Sequence, residues 1–265
     1  MFDVIIPTYN SNPEYLRSAV DSILQQTFPD FKIYICDGTP DRLLHTAQES
    51  LKDYTDERLT ILKQSGIGPS NARNEALQAG NNPYVALLDG DDLWVERKLE
   101  YLAGFIKNYR PKMVWSAVKM GEDEKATDLF RTGYFENLER TAFEHRWFKV
   151  FWCPLATSSI VFERKALESI GAWDEKKFMG EDTDLNVRML QNFALDSYQI
   201  NAYMGLYRTH PSQTTLNEEH YHENMNAGLE WADRTKLFDE TFVELKEQSK
   251  GKYTHDYWNT LYEDV

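Results

Sequence analysis

The chain has 265 residues, enough for one large α/β domain or one domain with a small appendage, and its 42% hydrophobic and 27% charged residues suit a globular protein. A formal net charge of −14 argues against a general affinity for nucleic acid or anionic membranes, since both need a basic face. Cys36 and Cys153 are the only cysteines, no apolar run approaches the roughly 20 residues of a membrane span, and no basic-then-apolar leader opens the chain, so free thiols, a cytoplasmic location and no membrane span are expected.

Phe2-Asp3-Val4-Ile5-Ile6, closed by Pro7, reads as a strand buried on both faces, with Thr8-Tyr9-Asn10 as the polar loop at its carboxyl end. Asn12 can cap the next helix and Pro13 suits its first turn. Tyr15, Leu16, Ala19, Val20, Ile23 and Leu24 then recur at helical spacing. Phe31 to Cys36 is a second strand that ends in Asp37-Gly38-Thr39-Pro40. A helix from about Asp41 to Tyr54, a strand at Leu59 to Leu62, a helix opened near Pro69-Ser70 and a strand from Tyr84 to Leu88 continue the alternation. Strand and helix in turn imply parallel strands whose carboxyl ends share one rim, where open sheets of this kind bind ligands. Thr8, Asp37 and the acids Asp89, Asp91 and Asp92 are therefore expected as neighbours in space.

Those acids follow the apolar run directly, in Leu87-Leu88-Asp89-Gly90-Asp91-Asp92-Leu93-Trp94. Three carboxylates so close repel one another without a cation, and Mg²⁺ or Mn²⁺ is commonly held by one or two carboxylates plus substrate phosphates. Gly90 is expected to let the chain turn tightly between the acids. A plainer role is also open, because Asp92 can cap a helix running from Leu93 to about Tyr109.

Met113 to Val118 reads as a further strand, after which the pattern weakens through a charged turn at Gly121 to Lys125 and an aromatic stretch with Trp147, Phe148, Phe151 and Trp152. Thr157 to Phe162 is an expected strand and Arg164 to Ile170 a short helix. Gly180-Glu181-Asp182-Thr183-Asp184 opens another helix, on which Asp184 and Arg188 are spaced as an ordinary surface pair. Tyr198 to Ile200 and Met204 to Arg208 precede the loop Thr209-His210-Pro211-Ser212. The remainder is polar and helical in tendency, and is expected to pack on the main domain.

Six of these segments, in this order, resemble the inverting glycosyltransferase family 2. They are Val4 to Asn10, Ile35 to Gly38, Gly68 to Asn74, Leu87 to Asp92, Gly180 to Leu185 and Tyr207 to Pro211, and together they span the chain to about Ser212. The resemblance implies an α/β, Rossmann-like GT-A fold: three α/β/α layers around a mostly parallel sheet in residues 1–212, with a C-terminal helical extension in 213–265. Residues 1–118 would be the nucleotide-sugar half and 119–212 the acceptor half.

By the same resemblance, Pro7, Thr8 and Tyr9 would hold the nucleotide, and Asp37 would accept a pyrimidine N–H, favouring a UDP- or dTDP-sugar; Asp37 also suits a plain turn. Arg73 would lie near the diphosphate, or is a helix-surface arginine. Asp91 would bind Mn²⁺ or Mg²⁺. Asp89 would face the ribose or join the metal, and Asp92 would orient the site. Arg208 and His210 would close on the diphosphate, with His210 able to complete the metal shell or to serve the loop structurally. Asp182 would be the general base, with Glu181 as fallback, although both acids also suit a helix N-terminus. Trp147, Trp152 and Trp173 fall in the acceptor region, Trp173 being the better core residue.

The activity so implied is metal-dependent transfer of a sugar to a hydroxyl of a glycan, glycolipid or other glycoconjugate, in a chain able to oligomerise through its extension. The alternatives are another sugar-nucleotide-processing enzyme of related fold, such as a nucleotidyl transferase or hydrolase, and a catalytically silent nucleotide-sugar or carbohydrate-binding protein.

Overall fold

The computed structural model describes residues 1–43, 45–122, 155–177, 180–211 and 213, with backbone alone at 194 and 201. All of these fall in the first of two units into which the chain divides, Met1–Asn217. The expected aromatic stretch with Trp147 and Trp152, Cys153 and the helical extension lie outside the described residues.

In chain order the elements are β1 (Phe2–Thr8), α1 (Pro13–Leu24), β2 (Phe31–Asp37), α2 (Ala47–Ser50), β3 (Leu59–Lys63), α3 (Gly68–Ala79), β4 (Tyr84–Leu87), β5 (Leu93–Trp94) and α4 (Lys98–Tyr109). There follow β6 (Met113–Gly121), a 3₁₀ turn at Thr157–Ser159, β7 (Ile160–Glu163), α5 (Arg164–Ser169), α6 (Glu181–Phe193) and β8 (Ser197–Arg208). The strands make one sheet in the order β3-β2-β1-β4-β7-β6-β8-β5.

Most of the first half, α2 excepted, behaves as its pattern dictates. β1 is paired in parallel on both sides, with β2 and β4, and carries apolar residues on both faces because α1 and α3 leave neither face to water. Thr8 stands opposite Asp37, and Asp37 opposite Lys63, so the carboxyl ends of β1, β2 and β3 form one row. Asn12 caps α1 through its side chain, which accepts the Glu14 N–H at 2.9 Å.

The second half departs from strict alternation. β7 runs antiparallel to both β4 and β6, and β5 antiparallel to β8, so the sheet is mixed. The helix expected over residues 41–54 is reduced to the single turn of α2. Asp92 does not cap a helix: Leu93-Trp94 pairs with Gly205-Leu206, and α4 starts only at Lys98. The two strands expected at the end of the domain are one twelve-residue strand, β8. Gly90 is not among the glycines with positive φ, and a Cβ there would first meet Leu16 Cδ1 at 3.4 Å, so the acidic turn does not demand glycine's conformational freedom.

At the opposite end of the sheet from the acids, Asp3 is fully buried and receives Arg164 Nη2 at 2.6 Å, Asn82 N at 2.8 Å and Asn82 Nδ2 at 2.7 Å. Arg164 also donates to the Leu77 and Asn82 carbonyls. This node fastens the start of α5 to the amino end of β1 and the end of α3, and it closes the core where no ligand is expected.

Candidate active site

Each group at the rim is placed by a different element. β4 ends just short of Asp89, and the backbone turns so that Asp92 N donates to Asp89 O at 3.1 Å. The Asp89 carboxylate faces α3, where Arg73 Nη2 stands at 3.2 Å, while Arg73 Nη1 reaches Glu181 at the start of α6 at 2.7 Å. Arg73 is 5% exposed, and among the described residues its Nε has no hydrogen-bond partner. One guanidinium thus joins the acid after β4 to the helix start that carries Asp182. Burial weighs against the Arg73 charge, but Asp89, Glu181 and Asp182 hold its pKa above the ordinary value. Burial pushes Asp89 and Glu181 up, against the pull of Arg73.

α3 presents Ser70, Arg73 and Asn74 on one face, at the i, i+3, i+4 spacing of neighbours on a helix. Ser70 Oγ donates to Lys177 O at 3.0 Å, and Asn74 Nδ2 to Trp173 O at 2.9 Å. Arg188 binds the same segment through the Ile170 and Ala172 carbonyls, and Asp184 takes both Arg188 and Lys177. Asp184 and Arg188 are therefore not an ordinary surface pair: the Asp184 side chain is only 9% exposed, and the pair tethers the loop leading into α6. Trp173 is buried edge-on against Phe162, in the core as expected.

Asp182 Oδ2 accepts Thr157 Oγ1 at 3.1 Å, and its Oδ1 accepts the Thr183 N–H at 2.6 Å. Next in the chain, Ser158 Oγ donates to Asp92 Oδ2 at 2.5 Å and accepts the Asp89 N–H at 3.0 Å. The Ser158 carbonyl accepts Trp94 Nε1 at 2.7 Å and Lys98 Nζ at 2.8 Å. Asp92 is 1% exposed, and its second oxygen takes the Arg208 N–H at 2.9 Å. It is a buried anchor that orients the turn; burial, then Asp91 and Asp89, raise its pKa well above its ordinary value.

Asp91 points the other way. Its Oδ2 lies 3.0 Å from His210 Nε2, and its carbonyl accepts Arg208 Nε at 2.6 Å. Tyr15, from the stripe of α1, packs its ring 5.0 Å from that of His210 and lies under the Arg208 guanidinium at 4.4 Å. Burial lowers the Arg208 pKa.

Near β1 and β2, Thr8 bonds Ser11 at 2.6 Å, and Pro7 lies in register with Cys36. Tyr9 is 65% exposed at the rim. Asp37 is buried, with one oxygen accepting Thr39 N at 2.8 Å and the other Ala47 N at 2.7 Å, so it shapes its own loop.

Asp91 and His210 offer a carboxylate oxygen and an imidazole nitrogen side by side, a donor set that suits Mn²⁺ or Mg²⁺ when diphosphate oxygens and water complete the shell. Among the described residues no group of three or more His, Cys, Asp or Glu side chains is arranged to hold a metal by itself. Asp89 is turned toward Arg73. A surface groove of about 380 Å³ along α4, lined by Arg97, Tyr101, Phe105 and Tyr109, contains none of the site residues.

The structure thus brings Arg73, Asp89, Glu181, Asp182, Asp91, Asp92, Arg208 and His210 to one rim. Sequence reasoning missed Thr157, Ser158, Lys98 and the part played by Tyr15. The hydroxyl run Thr157-Ser158-Ser159 ahead of an apolar strand was the available signal, and it reads as strand until the turn is seen.

The sheet is mixed, with an acid-bearing turn after β4 and a second acidic helix start, at α6, across the rim from it. A family model described as "Glycosyl transferase family 2" matches residues 3–171, and the chain belongs to that family. It is 37% identical over 93 residues to the uncharacterized glycosyltransferase EpsJ of Bacillus subtilis, covering 35% of this chain and 26% of that one. It is 24% identical over 219 residues to the Escherichia coli UDP-Glc:alpha-D-GlcNAc-diphosphoundecaprenol beta-1,3-glucosyltransferase WfaP, covering 82% and 81%. The S. aureus TarS structure with UDP-GlcNAc superposes with a TM-score of 0.66 at 18% identity over 82% of this chain and 60% of that one, and the fold is of the expected GT-A type. The matched part spans only 26% to 38% of several relatives, among them EpsJ and the glycosyltransferase MJ1057 of Methanocaldococcus jannaschii. Among the described residues no helix is long and apolar enough to cross a membrane.

Proposed function

We propose that the chain is an inverting glycosyltransferase that moves a hexose from a nucleoside diphosphate sugar, with uridine favoured, to a hydroxyl of a lipid-linked or other glycan. The observation that carries this reading is the Arg73 bridge, which holds Asp89 and the start of α6 against each other. Donor acids and a candidate base then share one rim. The activity that the name of WfaP describes, on a diphosphoundecaprenol-linked sugar, supports this acceptor class.

In this reading Pro7, Thr8 and Tyr9 line the base and ribose pocket, with Tyr9 as its exposed wall, and Asp37 shapes the loop beside it through the Thr39 and Ala47 amides. Asp182 takes the proton of the acceptor hydroxyl as that oxygen bonds the anomeric carbon. The bond to the diphosphate breaks on the opposite face, and its electron pair leaves with the nucleoside diphosphate. Glu181, engaged by Arg73, keeps the helix start in place rather than acting as base. Asp91 and His210 would hold Mn²⁺ or Mg²⁺, which when bound supplies positive charge beside the diphosphate. Arg208 braces the turn through the Asp91 carbonyl.

The test is nucleoside diphosphate release from UDP-, dTDP- and GDP-sugars with Mn²⁺, with and without a GlcNAc-diphospho-lipid acceptor. Release that depends on the acceptor supports transfer, whereas equal release without it marks a hydrolase. Asp182→Asn is expected to keep UDP affinity within about twofold while lowering turnover by about 10²-fold or more; turnover at the native level would remove Asp182 as base.

A further inference from the structure

We infer that Thr157 and Ser158 are positioning residues, two adjacent hydroxyls on one 3₁₀ turn that hold the Asp182 carboxylate and the acidic turn after β4 at a fixed separation. The inference rests on the proposed role of Asp182. Both side chains are buried, at 7% and 2% exposure. Thr157 donates to Asp182 Oδ2, while Ser158 donates to Asp92 and accepts the Asp89 N–H. The turn itself cannot drift, because the Ser158 carbonyl is clamped by Trp94 Nε1 and Lys98 Nζ, and Lys98 also lies over the Trp94 ring at 4.4 Å.

The chain continues straight into β7, which is hydrogen-bonded on both sides, to β4 and β6. A rigid strand therefore delivers two neighbouring hydroxyls, one to each half of the site. Among the described residues no guanidinium is hydrogen-bonded to Asp182, although the Arg73 charge is near, and its other oxygen meets the N–H and hydroxyl of Thr183, next in the chain. The Thr157 hydroxyl is thus the contact that ties the orientation of this carboxylate to the sheet. A base misplaced by about 1 Å loses on the order of 10²-fold in rate, because the reacting atoms no longer meet in line.

Thr157→Val removes the hydroxyl at nearly constant volume, and Thr157→Ser restores it. With UDP-glucose as donor, and water or a GlcNAc-diphospho-lipid as acceptor, Thr157→Val is expected to lower kcat about 10- to 100-fold. The donor KM and the calorimetric affinity for UDP with Mn²⁺ should stay within about twofold of native, a split that a general loss of structure would not produce. Thr157→Ser should recover most of kcat. A crystal structure of Thr157→Val should show the Asp182 carboxylate rotated from its native position. Ser158→Ala should act on the other half and weaken UDP binding.

An unmoved Asp182 carboxylate, or native turnover in Thr157→Val when Asp182→Asn has lost it, overturns the inference and leaves the base assignment standing. Native turnover in Asp182→Asn overturns both.

Discussion

Asp91 makes two separable contacts, and this makes it a clean residue to test. Its carbonyl holds Arg208 Nε whatever side chain the residue carries, whereas its carboxylate faces His210. Asp91→Ala should therefore leave the fold intact and abolish the Mn²⁺-dependent part of UDP binding in titration calorimetry. Equal affinity with and without the metal in the native chain would withdraw Asp91 and His210 as its ligands. Asp37 and the acids Asp89, Asp91 and Asp92 stood out because they stand where an apolar run ends, whereas Arg73, Glu181, Asp182 and His210 were singled out by the family resemblance. What each one does was less legible. Asp89 and Asp92 differ by three positions, yet one faces a guanidinium and the other is sealed behind Ser158 and the Arg208 amide. Only the path of β7 and β8 distinguishes them, and no spacing within the acidic stretch encodes it.

Among the elements, the start of α4 carries a buried cation that no periodicity announces. Lys98 donates to Ser158 O, and burial lowers its pKa to about 7, against the opposing pull of Asp92. The unfolded chain holds this proton up to about pH 10.4, so between about 7 and that value it binds more protons than the native state. The Lys98 contribution to stability therefore rises with pH across this window. Lys98→Met should lose that rise: its stability relative to native, from urea unfolding at several pH values, should decline from about pH 7 to 10. A difference independent of pH would mean that the amine stays charged in the fold. At the other end of the sheet, Asp3→Ala would strand Arg164 in the core and should cost about 3–5 kcal/mol without altering UDP affinity in the folded protein. β1, α1, β2 and α3 were readable because local pattern and tertiary demand agree. β5 was not, because two residues with a helical outlook are captured by Gly205 and Leu206. The antiparallel entry of β7 was hidden for the same reason: strand alternation implies a parallel sheet, and only the pairings reverse it.

For the whole molecule, the charge of −14 bears on how an acceptor held in a membrane is met. An acidic protein approaching an anionic bilayer is repelled over a Debye length, which is about 30 Å at 0.01 M salt and about 8 Å at 0.15 M. If the acceptor is lipid-linked, its KM in anionic vesicles should fall as salt is raised through this range, while in neutral vesicles it should stay flat. A KM that rises with salt would instead reveal a local basic face. β8 adds a consequence for biosynthesis. Among the described residues it is the strand that pairs with β5, it also pairs along β6, and it leads directly into the loop that carries His210. A nascent chain that has not yet emerged past this strand exposes an unpaired edge on β6, the kind of edge that invites association with other chains. The corner where His210 meets Asp91 then assembles only once translation has passed residue 210, so a chain released by a ribosome that stalls earlier would lack it and carry a sticky half-sheet.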